Sequence, residues 1–484
     1  MKVRITSAAL LLALLASLAA CGGEGNADIT GGADDTSVTM PAETEQVMPD
    51  VEKTDYEGAV FNILAPEWGL YKSYFFADEQ TGEVMNDAIY ERERLVEEYL
   101  GVDIIYTKEG TIAEIQPKLQ SVVMSGDDTY QLALTHCIQN LNSMVTGGLL
   151  YDWNTLPGVD LTREYWNQSC NENLSLFGKQ YFTVSDYMLA DPNAVLFNKE
   201  MIVGFELDDP YELVREGTWT IDRMFEMGSV VASDLNGDGM FDLNDRYGVG
   251  IEHDWIPNSF LYSSGLHLVS IREDGTYQLD FYNDKMVSLV EKFYAMFVQS
   301  TDATTYEVDA PFDEAVKMPS GRVLFQIESL NEMGDFRDCV VDFGILPYPK
   351  LEESQDGYIT NDWSGLMAIP CTVGNPKMVG EVCEMLAFYS GDTTVPAYYD
   401  LLLGEKLSRD EDSKEMLSII YGGIVYDPGF TYTGFSPNVS NLLYMLSHMI
   451  IRDGSDAITS WYEKYSDGAQ AELDAFIEAV RELE

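Results

Sequence analysis

The stretch 234–245, DLNGDGMFDLND, has the spacing of a site for a hard divalent cation. Asp234, Asn236 and Asp238 stand at positions 1, 3 and 5 of a calcium-loop pattern, with Gly239 at 6, the Met240 carbonyl at 7 and Asp245 at 12. A tight loop turns every second side chain inward, so alternating oxygens converge on one point. Phe241 adds the apolar eighth position. Asp in place of Glu at position 12 shortens the reach, leaving monodentate or bidentate binding open. An acidic, glycine-rich surface turn that binds nothing would use the same residues. The expectation is a structural Ca2+, because a solitary loop after a helix staples local chain rather than sensing a signal.

The aromatic residues suggest a second chemistry. Trp68, Tyr71, Trp255 and Trp363 lie in polar, loop-like surroundings, whereas Trp219 and Trp461 sit at helix starts or on helical faces. Rings beside carboxylates and amides suit sugars, whose C–H faces stack while their hydroxyls need directed acceptors. Each ring taken singly also fits a core position; Asn361, Asp362 and Trp363 form the densest cluster. Catalytic patterns are largely absent: there is no GxSxG, HExxH, P-loop or dinucleotide fingerprint, and His136, His253, His267 and His448 have no metal spacing. A glycosidase pair among the 82 acidic residues stays open, since such a pair is defined by separation in space.

The elements that must position these groups read as alternating strand and helix. Strands are expected over 56–64, 102–106 and 131–135, with helices over 85–99 and 112–124, the last despite Pro117. Such alternation argues for an α/β layer with a mostly parallel sheet, in which ligands bind beyond the carboxyl ends of the strands. Further strands are expected at 323–327, 341–346 and 366–369, and helices at 220–231, 287–297, 379–389, 441–451 and near the C-terminus. The stretch 178–201 holds two extended runs around the turn cluster Asp191, Pro192 and Asn193. It fits either a hairpin or a seam between two lobes.

The chain has 484 residues, of which 46% are hydrophobic, enough for two or three cores. Its 28 basic and 82 acidic residues give a net charge of −54, which argues against nucleic acid and anionic membrane surfaces as partners. Lys2 and Arg4 precede a short apolar run over 8–20, the form of a signal peptide, and Leu18, Ala19, Ala20 and Cys21 match a lipobox whose thiol takes the diacylglycerol. Residues 21–55 are polar and acidic, an expected disordered tether. The five other cysteines show no CxxC and no paired framework.

Several motifs, in this order, resemble the extracellular solute-binding proteins of ABC importers, family 1, the group that includes maltose-binding proteins. They are the lipobox at Cys21, GKQYFTVSDY through LFNKEM over 178–201, GTWTIDRM over 217–224, FDEAVKMPSGRVLFQIES over 312–329, DFGILPYP over 342–349 and LMAIP over 366–370. Phe197 stands where relatives carry tyrosine. The resemblance implies a type II periplasmic-binding-protein fold, two α/β lobes joined by hinge strands around a ligand cleft. Lobe 1 would comprise 56–186 with about 312–365, and lobe 2 187–311 with about 366–484, so that 178–201 becomes the first hinge crossing. Further crossings are then expected near Phe312 and Leu366. It further implies solute contacts at Glu67, Trp68, Tyr71, His136, Asp186, Tyr187, Trp255, Glu328, Asp362 and Trp363. The function implied is a monomeric, lipid-anchored receptor on the outer face of the bacterial cytoplasmic membrane. It would deliver a small solute, most readily an oligosaccharide, to permease subunits with their cytoplasmic ATPase. A lipid-anchored glycoside hydrolase and a calcium-dependent adhesive protein are the alternatives.

Overall fold

The computed structural model describes residues 47–483 apart from 140, 307–316, 337–338, 364 and 408–410. The expected signal peptide, Cys21 and most of the expected tether lie outside the described residues. The last part of that tether is anchored rather than free. Val51 is buried, and its carbonyl accepts a hydrogen bond from Tyr99 Oη at 2.9 Å. Composition over a window cannot register a single valine and a single carbonyl that find partners on a helix, and the boundary at 55 is corrected on that ground.

β1 (Ala59–Pro66) is buried continuously from Phe61 onward, as a strand covered on both faces must be. α1 (Val84–Leu100) buries Met85, Ile89, Arg92, Val96 and Leu100 along one stripe. The Glu83 carboxylate caps its start by accepting the Asn86 N–H at 2.7 Å, and Gly101 closes it in the left-handed region at φ 62°. β2 (Val102–Glu109) follows. α2 (Ile115–Ser125) carries Pro117 in its first turn, where the missing N–H would have had no intrahelical partner. A 3-10 turn at Ile112–Glu114 precedes it, so the helix expected over 112–124 forms in two pieces.

After β3 (Leu132–His136) come β4 (Asn193–Asn198), α3 (Ile221–Val231), β5 (Tyr247–Glu252), the short α4 (Ser259–Ser263) and β6 (Ala303–Tyr306). The chain continues through β7 (Val323–Ser329), β8 (Phe343–Leu346), β9 (Thr360–Asn361), β10 (Gly365–Ala368), α5 (Pro376–Asp392), α6 (Glu411–Gly422), β11 (Ile424–Val425) and α7 (Ile458–Arg481).

Two larger sheets organise these elements, and β9 pairs with β11 in a small one of its own. The first has the order β10-β3-β1-β2, with β1 parallel to β2 and β3, and β10 antiparallel to β3. The second has the order β8-β4-β7-β5-β6, with β5 parallel to β7 and β6, and β4 antiparallel to β7 and β8. The chain therefore leaves the first sheet after β3 and enters the second at β4, which makes 178–201 a crossing. Its earlier half is no strand: Thr183 and Ser185 make isolated bridges, and Asp186–Met188 is a 3-10 turn.

The return crossing lies between β8 and β10. The one expected near Phe312 is corrected, because β6 and β7, which flank that undescribed segment, both belong to the second sheet. The lobe boundaries are corrected with it. β7 and β8, expected in lobe 1, pair with β4 and β5 in the second sheet, while β10, expected in lobe 2, pairs with β3 in the first. α5 packs against α1, and α6 against β8, so the C-terminal helices divide between the two halves. Alternation tells which face of a strand is buried but not which strand lies beside it, and the pairing is set by distant chain. Among the described residues no helix is long and apolar enough to cross a membrane.

Candidate functional site

The parallel strands bring their carboxyl ends to the crossing region. In the first half, β1 runs into Glu67, Trp68 and Tyr71, and β3 ends at His136. In the second, β5 ends at Glu252 before Asp254 and Trp255, and β7 ends at Glu328 and Ser329. The return crossing carries Asp362 and Trp363 into β10, where Gly365 stands opposite His136.

Trp68 is 40% exposed and meets the His136 ring edge-on, with centroids 5.3 Å apart. Tyr71 lies beneath, 6.4 Å from His136 and buried, with its hydroxyl donating to the Thr135 carbonyl. Burial lowers the His136 pKa to about 3, so its imidazole is neutral. Its Nδ1 accepts the Ile138 N–H at 3.2 Å, which leaves the ring proton on Nε2 as a donor. Glu67 is exposed beside this group.

In the second half, Trp255 and Trp363 meet edge-on at 5.4 Å, and Trp363 meets Phe430 at 5.2 Å. Trp363 Nε1 donates to Ser259 Oγ at 2.9 Å, which fixes the indole on α4. Asp362 ties the two crossings together: Oδ1 accepts the Asp191 N–H at 2.9 Å, and Oδ2 accepts the Tyr426 hydroxyl at 2.7 Å. Asp254 is exposed nearby, with Oδ1 3.9 Å from His448 Nε2.

Glu328 is buried, accepting Gln326 Nε2–H at 2.9 Å and the Tyr306 hydroxyl at 3.2 Å; burial pushes its carboxyl up to about 7. Glu252 stands opposite Tyr306 in the β5–β6 register. It accepts the N–H groups of Asp254 and Trp255 at 2.8 and 2.9 Å. Sequence reasoning missed Glu252 and Ser259. The strand-end rule applied to β5 would have found the first; Ser259 has no signal of its own.

Asp186 and Tyr187 fall outside the two aromatic groups. Burial pushes Asp186 up to about 7. Tyr187 is enclosed in the first half, edge-on to Phe75 at 5.6 Å, under the Arg92 guanidinium at 4.5 Å, with its hydroxyl 3.1 Å from that of Tyr106. This is a core position, set by an arginine buried in the middle of α1.

The 234–245 loop is stitched by its own side-chain oxygens. Asp234 accepts the N–H groups of Gly237 and Gly239, Asn236 that of Asp238, and Asp238 that of Met240. Asp245 is buried and accepts from Leu235 and Asp242 at 2.9 and 2.8 Å. Among the described residues no three His, Cys, Asp or Glu side chains gather as a metal-holding group. The loop's oxygens are of the hard type a Ca2+ ion takes, and they are turned toward the loop's own N–H groups.

A groove of about 690 Å³ elsewhere on the second half is lined by Thr218, Asp222, Arg223, Lys292 and Glu352, among others, and includes none of the candidate residues. Its rim is already paired, Lys292 with Asp222 and Arg223 with Asp208 and Glu226. The strand ends, where rings from both halves gather, are the stronger candidate, because open α/β sheets bind ligands beyond the carboxyl ends of their strands.

No family model matches the chain, and no curated protein matches it. Solved structures do. The galacto-N-biose/lacto-N-biose I-binding protein of an ABC transporter from Bifidobacterium longum, in complex with lacto-N-biose, aligns with TM-score 0.60 at 13% identity over 88% of this chain and 98% of that one. A cyclo/maltodextrin-binding protein complexed with maltotetraose aligns with TM-score 0.57 at 15% identity over 88% and 98%. An ABC transporter solute-binding protein from Thermotoga lettingae, bound with α-D-tagatose, aligns with TM-score 0.55 at 14% identity over 86% and 100%. The chain has the type II periplasmic-binding-protein fold.

Proposed function

We propose that this chain is the solute-binding receptor of an ABC importer and that it takes a sugar or oligosaccharide in the crevice at the strand ends. One observation carries the reading: rings from both sheets, Trp68 and His136 on one side and Trp255 and Trp363 on the other, flank the crossing beside amide, hydroxyl and carboxylate groups. Rings supply stacking faces, and the neutral His136 supplies a donor. Closure of the halves on a sugar desolvates its hydroxyls against fixed partners, so affinity comes from contacts made only in the closed state. The sugars bound by the structural neighbours fit this reading.

The test is calorimetry and thermal shift with lacto-N-biose, maltotetraose, α-D-tagatose, peptides and polyamines. A saturable rise in melting temperature with a saccharide is expected; binding of peptides or polyamines alone would overturn the sugar assignment. The saccharide should be recovered intact after incubation, whereas cleavage would move the reading to a hydrolase.

Three further assignments belong to the same proposal. Cys21 carries a lipid that holds the receptor on the outer face of the cytoplasmic membrane, and Cys21→Ser should move the protein to the soluble fraction. The receptor works as a monomer that docks on permease subunits. The loop of Asp234, Asn236, Asp238, Met240 and Asp245 holds a structural Ca2+.

A further inference from the structure

Two buried side chains beside Trp363 have polar atoms with no partner among the described residues. Asn361 is 2% exposed, and neither its Nδ2 nor its Oδ1 is hydrogen-bonded; Tyr262, also 2% exposed, has an unpaired hydroxyl. Buried amides and hydroxyls are overwhelmingly paired, so three unpaired atoms on two elements that pack together call for an occupant. Asn361 and Trp363 are two residues apart in extended chain, with Asp362 bridged to Pro192 between them, so their side chains leave the same face. On that face the Trp363 indole is held by Ser259 of α4, the helix that carries Tyr262 and packs on β9. The Tyr262 ring lies 6.3 Å from Phe430, which in turn meets Trp363 at 5.2 Å. The groups in electrostatic reach of the Tyr262 hydroxyl are Asp427, Tyr444 and Cys137, the residue after β3.

We propose that the Asn361 amide and the Tyr262 hydroxyl are specificity-determining groups that hydrogen-bond the hydroxyls of an uncharged sugar ring entering beside Trp255 and Trp363. The amide offers both donor and acceptor and the phenol offers either, a set that matches neighbouring hydroxyls, while the surrounding carboxylates disfavour an anionic ligand. Both side chains are enclosed where α4 packs on β9, so the sugar reaches them only when that packing opens. The inference rests on the receptor reading and adds which atoms select the ring.

Tyr262→Phe and Asn361→Leu remove the polar atoms with little change in volume. Each variant is measured without sugar, for its melting temperature, and then by titration with lacto-N-biose, maltotetraose and α-D-tagatose in parallel with the wild type. The expected result is a ligand-free melting temperature unchanged or raised, because an unsatisfied group has been deleted, and affinity for the bound sugar weakened about tenfold per variant. Wild-type affinity in both variants overturns the inference while leaving the receptor reading standing. A clear fall in the ligand-free melting temperature overturns it too, since the atoms would then have partners within the fold. If the wild type binds none of the three sugars, the receptor reading fails for these saccharides and takes the inference with it.

Discussion

Glu328 is enclosed at the end of β7, where burial outweighs the help its charged form receives from Lys317 and Gln326 and pushes its carboxyl up to about 7. An unfolded glutamate titrates near about 4.3. Between those two values the native chain holds a proton that the unfolded chain has shed, so stability falls as pH rises through the window. Asp186 and Glu93 at about 7 and Asp191 at about 6, all raised chiefly by burial, act in the same direction. The melting temperature is expected to fall from pH 5 to pH 7.5. Glu328→Gln should flatten that slope, one proton being worth at most about 1.4 kcal/mol per pH unit. Thermal unfolding across a pH series checks this, and an unchanged slope would show that Glu328 titrates as if exposed. At this scale the sequence was a fair guide where type and surroundings agreed: Trp255, Trp363 and His136 do lie at strand ends. Tyr187 has the same type and an apparent loop position, yet its ring is core, because nothing local announces that Arg92 of α1 will be buried over it.

At the level of elements, the crossing into β10 depends on a residue without a side chain. A Cβ on Gly365 would lie 1.6 Å from Tyr71 Oη and 2.6 Å from the Thr135 carbonyl, so β10 could not close on β3 while Tyr71 stays in place. Gly365→Ala should therefore cost roughly 1–3 kcal/mol, as overpacking does. It should also weaken sugar binding, since Tyr71 lies under His136; chemical denaturation with parallel titration measures both. The 234–245 loop offers a second test. If it holds Ca2+, EDTA and Asp238→Ala each lower the melting temperature and leave sugar affinity intact, and an unchanged melting temperature removes the assignment. Helix α1 was legible in its extent, because its apolar stripe and its terminal glycine are local to it, whereas its Glu83 cap and its buried Arg92 were not read. Strand partners were not. β7 and β8 look alike as apolar runs whichever sheet receives them, and only the register with β4 assigns them.

For the molecule as a whole, 82 acidic residues against 28 basic ones make self-repulsion a standing cost of compactness. Salt should relieve it. Raising ionic strength from about 10 mM to about 150 mM shortens the screening length from about 30 to about 8 Å, and the melting temperature is expected to rise over that range. A flat response in sodium chloride would mean that the charges are already locally compensated. The two-sheet plan was legible because motifs in a fixed order specify a topology even at 13–15% identity to solved structures of that fold.

The edge-on contact of Trp255 and Trp363 also has an optical consequence. Two indoles with centroids 5.4 Å apart and planes at 71° couple their transition dipoles, giving a paired signal of opposite signs in circular dichroism. A second pair, Trp153 and Trp166, is buried in the first half and supplies a similar signal that solute should leave alone. The difference between wild type and Trp363→Phe therefore isolates the crevice pair, and its change on adding solute reads the relative motion of two rings without any label.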